Sequence, residues 1–92
     1  MSILPPARAD EGAEARPADR IKGAIAAAVL RRLGRPTDLI RVAVVPLWAN
    51  RYRVNVQTGA DVVSTRIAHS FFLEANEAGE VVASDPAVVR VY

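Results

Sequence analysis

Residues 51–57, Arg-Tyr-Arg-Val-Asn-Val-Gln, alternate without a break, with Tyr52, Val54 and Val56 on one side of an extended chain and Arg51, Arg53, Asn55 and Gln57 on the other. Successive side chains of a strand point to opposite faces, so this segment belongs in a sheet with one covered face and one polar face. Sheets of that kind are antiparallel, because parallel sheets carry crossover helices on both faces. The rest of the chain has to be arranged around that asymmetry.

Downstream, Thr58-Gly59-Ala60-Asp61 places Gly at the first central position of a two-residue hairpin and predicts a type II′ turn into a long strand from Val62 to Glu74. The register that follows sets Val56 against Val63, Val54 against Thr65 and Tyr52 against Ile67 on the core side. On the other side Arg53 falls directly opposite Arg66. Asn76-Glu77-Ala78-Gly79 reads as a second turn, with Gly79 in the left-handed position, returning a short strand over 80–84 that Asp85-Pro86 ends. The segment 87–92 fits either a last strand or a helical turn started by Pro86.

Upstream, Ile21, Ile25, Val29 and Leu33 form an i, i+4 ladder flanked by Ala26 and Leu30, opened by Pro17 and stopped by Gly34 and Pro36. This amphipathic helix carries Arg20, Gly23, Ala24, Ala27 and Arg31 on its other side and needs a sheet to lie on. Residues 39–47, Leu-Ile-Arg-Val-Ala-Val-Val-Pro-Leu, make a strand apolar enough to be covered on both sides, although Pro46 suits an edge or a strand end. Residues 1–16 hold only Ile3 and Leu4 as sizeable apolar groups and are expected to be a disordered tail. The fold class is therefore α+β: one domain over 17–92, with one amphipathic helix packed on a three- to four-stranded antiparallel β-meander.

Several chemistries are excluded or unsupported. The chain has no Cys, which removes disulfides, thiolate metal sites and cysteine nucleophiles. Its apolar runs are about half the length that crosses a bilayer, and its first residues lack a secretory apolar stretch, so neither membrane insertion nor export is expected. His69 is the only histidine. It falls on the core side, and its neighbour Ser70 points to the opposite face, so the two do not form a relay. No cofactor site is indicated, since Gly59-Ala60-Asp61 and Gly34-Arg35-Pro36-Thr37 lack the strand–glycine–helix setting of a phosphate loop. Arg31, Arg32 and Arg35 are explained by the negative end of the helix dipole.

Two surfaces remain. Eleven of the twelve basic residues are Arg, and Arg51, Arg53 and Arg66, with Phe72 beside them and Arg41 on the neighbouring strand, predict a basic open sheet face. Opposed guanidinium groups repel unless an anion sits between them, so this face is a candidate anion or nucleic-acid surface. The alternative is a solvated face whose Arg stems cover backbone while Glu74 or Glu80 supplies counter-charge. The second surface is Ala43, Val45 and Leu47 with Trp48, an apolar strip that a second copy or another protein would cover, unless segment 87–92 folds over it.

From Arg51 onward, the runs RYRVNVQTGAD and RIAHSFFLEANEAGEVVASDP resemble short conserved bacterial proteins of uncharacterised function, which implies a bacterial setting and no particular activity. The helix-then-meander order is similar in architecture to PepSY-type domains, with no residue carried over. The expectation is a cytoplasmic, non-enzymatic binding or interaction module, with anion or nucleic-acid binding through the Arg face as the alternative.

Overall fold

In the computed structural model, residues 17–92 are described, and the expected tail, 1–16, lies outside them. Helix α1 (Pro17–Leu33) is followed by strands β1 (Leu39–Pro46), β2 (Arg51–Gly59), β3 (Thr65–Ala75) and β4 (Val81–Asp85). The strands form one antiparallel sheet in the order β1-β2-β3-β4, a meander in which every strand pairs with its sequence neighbour. The α+β class is as expected, with four strands.

The helix ladder works as its spacing demands. Ile25, Ala28, Val29 and Leu33 are buried, and Ile21 is packed against the same cluster. They meet Val54 and Val56 of β2, Phe71, Leu73 and Ala75 of β3 and Val81 of β4, all buried. Alternation along β2 leaves Arg51 and Arg53 exposed between these positions. Fully burying each Val, Leu, Ile or Phe contributes about 1.5–3 kcal/mol, so this one interlayer seam supplies most of the stabilisation.

The helix ends where Gly34 adopts φ +93°, and its amide donates to the Leu30 carbonyl at 2.9 Å. The chain's last residues dock there. The amides of Val91 and Tyr92 both donate to the Leu33 carbonyl, at 2.8 and 3.0 Å, supplying partners for a helix-end acceptor that has none within the helix. Segment 86–92 is thus neither strand nor helical turn. It is an irregular strap whose Val88 packs against the core. Because the strap lies on the helix side of the sheet, it does not cover the apolar strip of β1.

The turn at 76–79 uses Asn and Gly as its type requires. At 76–79 the Asn76 side-chain oxygen accepts from the amides of Ala78 and Glu80, and Gly79 has φ +82°. A Cβ on Gly79 would meet the Ala24 side chain at 2.5 Å, so the turn presses directly on α1. In contrast, β1 is an edge strand. Val42 and Val44 pack towards the core, while Val45 is 46% exposed, so the expectation of cover on both sides is not met.

Substituting Gly34→Ala forces an L-residue into the left-handed region and drives its Cβ to 2.6 Å from the Tyr92 carbonyl carbon. The expected loss is about 1–2 kcal/mol or more, read as a lower urea midpoint with an unchanged slope.

Candidate functional site

The face of the sheet turned away from α1 is a grid set by strand register. One row runs Val45 (β1), Arg53 (β2), Phe72 (β3), Asp85 (β4). The row towards the Trp48 turn holds Arg51, Glu74 and Ala83, and the row on the other side holds Ala43, Asn55 and Ser70. Beyond these come Arg41, Gln57 and Ile67. No element among the described residues lies over this grid. Phe72 is 49% exposed, Ile67 57%, Leu47 37% and Trp48 65%, so large apolar side chains stand open on and beside this face, with Arg51, Arg53 and Glu74 among them on the central strands.

Its polar groups are largely paired with one another. The Arg53 guanidinium lies 4.3 Å from the centroid of the Phe72 ring, a cation–π contact. The Ser70 hydroxyl donates to the Asn55 side-chain oxygen at 2.7 Å. An Arg51 nitrogen approaches a Glu74 oxygen at 3.9 Å, and Asn50 Nδ2 donates to the other Glu74 oxygen at 3.1 Å. Of the two counter-charges expected from sequence, Glu74 is the one that acts on this face, while Glu80 accepts from Asn76 Nδ2 in the turn. At the Trp48 end a cleft of about 440 Å³ opens, lined by Leu47, Trp48, Arg51, Phe72, Glu74, Ala83 and Asp85 among others.

The structure brings Arg51, Arg53 and Phe72 together and separates Arg66 from them. The predicted register is not formed. Val56 pairs with His69 and Arg53 with Phe72, while Arg66 pairs with Thr58. Two local causes account for this. First, Asp61 builds a turn of its own, its carboxylate accepting from the amides of Val63 and Ser64 at 2.9 Å and its carbonyl from Thr65 Oγ1 at 3.1 Å. Residues 60–64 become the loop, and Val62 and Val63 are exposed rather than paired with β2. Second, a bulge at Ala68, between the pairs Val56–His69 and Gln57–Ile67, reverses the faces of the residues before it. Arg66 moves to the helix side, where its Nε donates to the buried Thr58 hydroxyl at 3.4 Å, and Ile67 moves to the open face. Thr65 and Ile67 are accordingly not the core pairs of Val54 and Tyr52, whose partners are Phe71 and Leu73.

The apolar strip splits between strand and turn. Ala43 and Val45 lie on the open face, with Leu47 and Trp48 at its end, where the Leu47 amide donates to the Arg51 carbonyl and the Arg51 amide to the Trp48 carbonyl, both at 2.9 Å. Sequence reasoning did not include Ile67 or Asp85 in the face. The bulge hides Ile67, since the sequence carries no mark of it, and Asp85 beside Pro86 marks only the strand's end.

His69 sits on the core side at the sheet's rim, its Nε2 2.8 Å from the Tyr92 hydroxyl and its ring stacked 6.3 Å from that of Phe71. It thereby fastens the C-terminal strap. No cluster of three or more metal-ligating side chains forms among the described residues. On the helix, Arg32 reaches across to donate to the Val81 carbonyl at 3.3 Å. No helix among the described residues is long and apolar enough to cross a membrane. Comparison with protein-family models, with curated proteins and with solved structures finds no match to this chain.

The two adjacent phenylalanines report on the two faces separately. Phe71→Ala, at a site 4% exposed, is expected to cost about 3 kcal/mol or more, and Phe72→Ala, half-exposed on the open face, under about 1 kcal/mol. Paired urea denaturation curves check this, and equal losses would contradict the face assignment.

Proposed function

We propose that the protein is a non-enzymatic interaction module that binds another protein surface through the open face of its sheet. The observation that supports this most is the exposure of Val45, Ile67, Phe72, Leu47 and Trp48 on or beside one face. The apolar groups lie around central polar ones that are paired with one another, and exposed apolar side chains gathered on one face mark an interaction surface. Aromatic and Arg side chains, here Phe72, Trp48, Arg51 and Arg53, are the types that carry binding energy in such contacts. We take the protein to be bacterial and cytoplasmic, the former on the resemblance of its C-terminal half.

Binding of an anion or nucleic acid through Arg51, Arg53 and Arg66 draws less support. Arg66 lies on the other side of the sheet, Glu74 offsets Arg51, and acidic Asp85 stands in the same row as Arg53. A nucleic-acid surface gains affinity by neutralising phosphates with several cations free to release counterions, and here Glu74 and Asp85 stand on the same face as the arginines.

A photo-crosslinking side chain placed at Phe72 is expected to trap a protein adduct, whereas the same group at Ala27, on the exposed side of α1, is not. In parallel, amides of Arg51, Arg53 and Asn55 should stay in place in NMR spectra when a mixed-sequence oligonucleotide is added at moderate salt. Coordinated shifts that fade as salt is raised would instead favour the nucleic-acid reading.

A further inference from the structure

The signs of the charges on the open face are not mixed at random. The basic residues Arg41, Arg51 and Arg53 all stand on β1 and β2, and the acidic residues Glu74 and Asp85 on β3 and β4. The face is therefore divided by a line running between β2 and β3, basic on one side and acidic on the other. Such a surface is complementary to itself under one rotation and not under another. A two-fold axis parallel to the strands, along that line, brings β2 over the copy's β3 and β1 over its β4. A two-fold axis across the strands brings β2 over β2 and stacks Arg on Arg.

We propose that the occupant of the open face is a second copy of this chain, packed face to face about a two-fold axis parallel to the strands and lying between β2 and β3. This rests on the open face being a protein-binding surface. In that packing Arg51 of each copy faces Glu74 of the other, Arg53 faces the partner's Phe72 ring, and Val45 lies over the row position of Asp85. The contact is isologous, so each attractive pair occurs twice. The Ser70 hydroxyl and the Asn55 side-chain oxygen, already hydrogen-bonded to each other, enter the contact as a pair.

The available area is consistent with a real but modest interface. Four strands about 4.8 Å apart and some six residues long present roughly 400 Å² of flat face, on the order of 1,000 Å² of accessible surface for a pair once side-chain relief is included. That is near the lower limit for a specific contact and implies a dimer that dissociates in the micromolar range. Aligned sheet packing is the ordinary geometry for two such twisted faces, the axis then bisecting the angle of about 30° between the strand directions of the two copies.

The sign pattern provides the test, on the full chain. Arg51→Glu puts two carboxylates against each other at both symmetry-related contacts of its own dimer, and Glu74→Arg puts two guanidinium groups there. When the two variants are mixed, each contact of the mixed dimer joins a carboxylate from one chain to a guanidinium from the other, so both become attractive again. Sedimentation equilibrium over the micromolar range should show a wild-type dimer, each variant weakened about tenfold or more, and a one-to-one mixture restored to near wild-type association. The Arg51–Glu74 pair within one chain is well exposed, so circular dichroism should find both variants folded. A monomeric wild-type chain overturns the self-association, and so does a dimer that both variants leave intact, which would point to pairing along the β1 or β4 edge. Neither result bears on the crosslinking at Phe72, which judges the open face as a protein surface independently.

Discussion

One helix has to cover a four-stranded sheet, and it covers one side. The seam between α1 and the inward residues of β2 and β3 holds Ile25, Val29, Leu33, Val54 and Val56 at essentially zero exposure. Everything that stabilises the domain elsewhere is arranged around that seam. Gly79 brings the last turn against Ala24 of the helix, Arg32 reaches from the helix to the backbone of β4, and the C-terminal strap closes the helix end at Leu33. Since the apolar cover is all on one side, the other face keeps its Phe, Ile and Val in contact with water. A domain this small buries one thin core, and no second layer among the described residues covers the exposed face.

The strap shows how economically the covered side is finished. A helix leaves its last carbonyls without intrahelical partners, and here two amides from the chain's far end approach one of them. The approach is close enough that only Gly fits at position 34, where both the positive φ and the nearness of Tyr92 forbid a side chain. His69, which strand alternation places on the core side, anchors the same strap through the Tyr92 hydroxyl. Its neighbour Ser70 belongs to the other face, bonded to Asn55, which keeps the two side chains apart as strand alternation requires.

On the open face the arrangement is dominated by local pairing of opposite characters. Arg53 lies over Phe72, Arg51 meets Glu74, and the hydroxyl of Ser70 meets the amide of Asn55. Cross-strand pairs of this kind are each worth a few tenths of a kcal/mol to about 1 kcal/mol in a sheet. They also hold long side chains in fixed positions and leave a surface of defined sign and shape. The expected repulsion between Arg53 and Arg66 does not arise, and with it goes the main reason to place an anion between them.

What could be read from the residues alone was whatever depends on period and on local backbone chemistry. The alternation of 51–57, the i, i+4 ladder from Ile21 to Leu33, the stop at Gly34 and the turn at Asn76–Gly79 each follow from near neighbours, and the helix, the half-covered sheet and the meander order follow from them. The place of Phe72 on the open face was legible for the same reason. What only the tertiary structure decided was register. Whether the chain turns at Gly59-Ala60 or at Asp61 is a competition between a two-residue turn and a side-chain-capped loop, and the outcome depends on how well β3 then fits beneath α1. The loop at Asp61 wins, Phe71 and Leu73 rather than Thr65 and Ile67 come opposite Val54 and Tyr52, and the bulge at Ala68 absorbs the mismatch. A one-residue irregularity leaves no trace in hydrophobic period, yet it exchanges the faces of Arg66 and Ile67, and so it sets the charge of the open face.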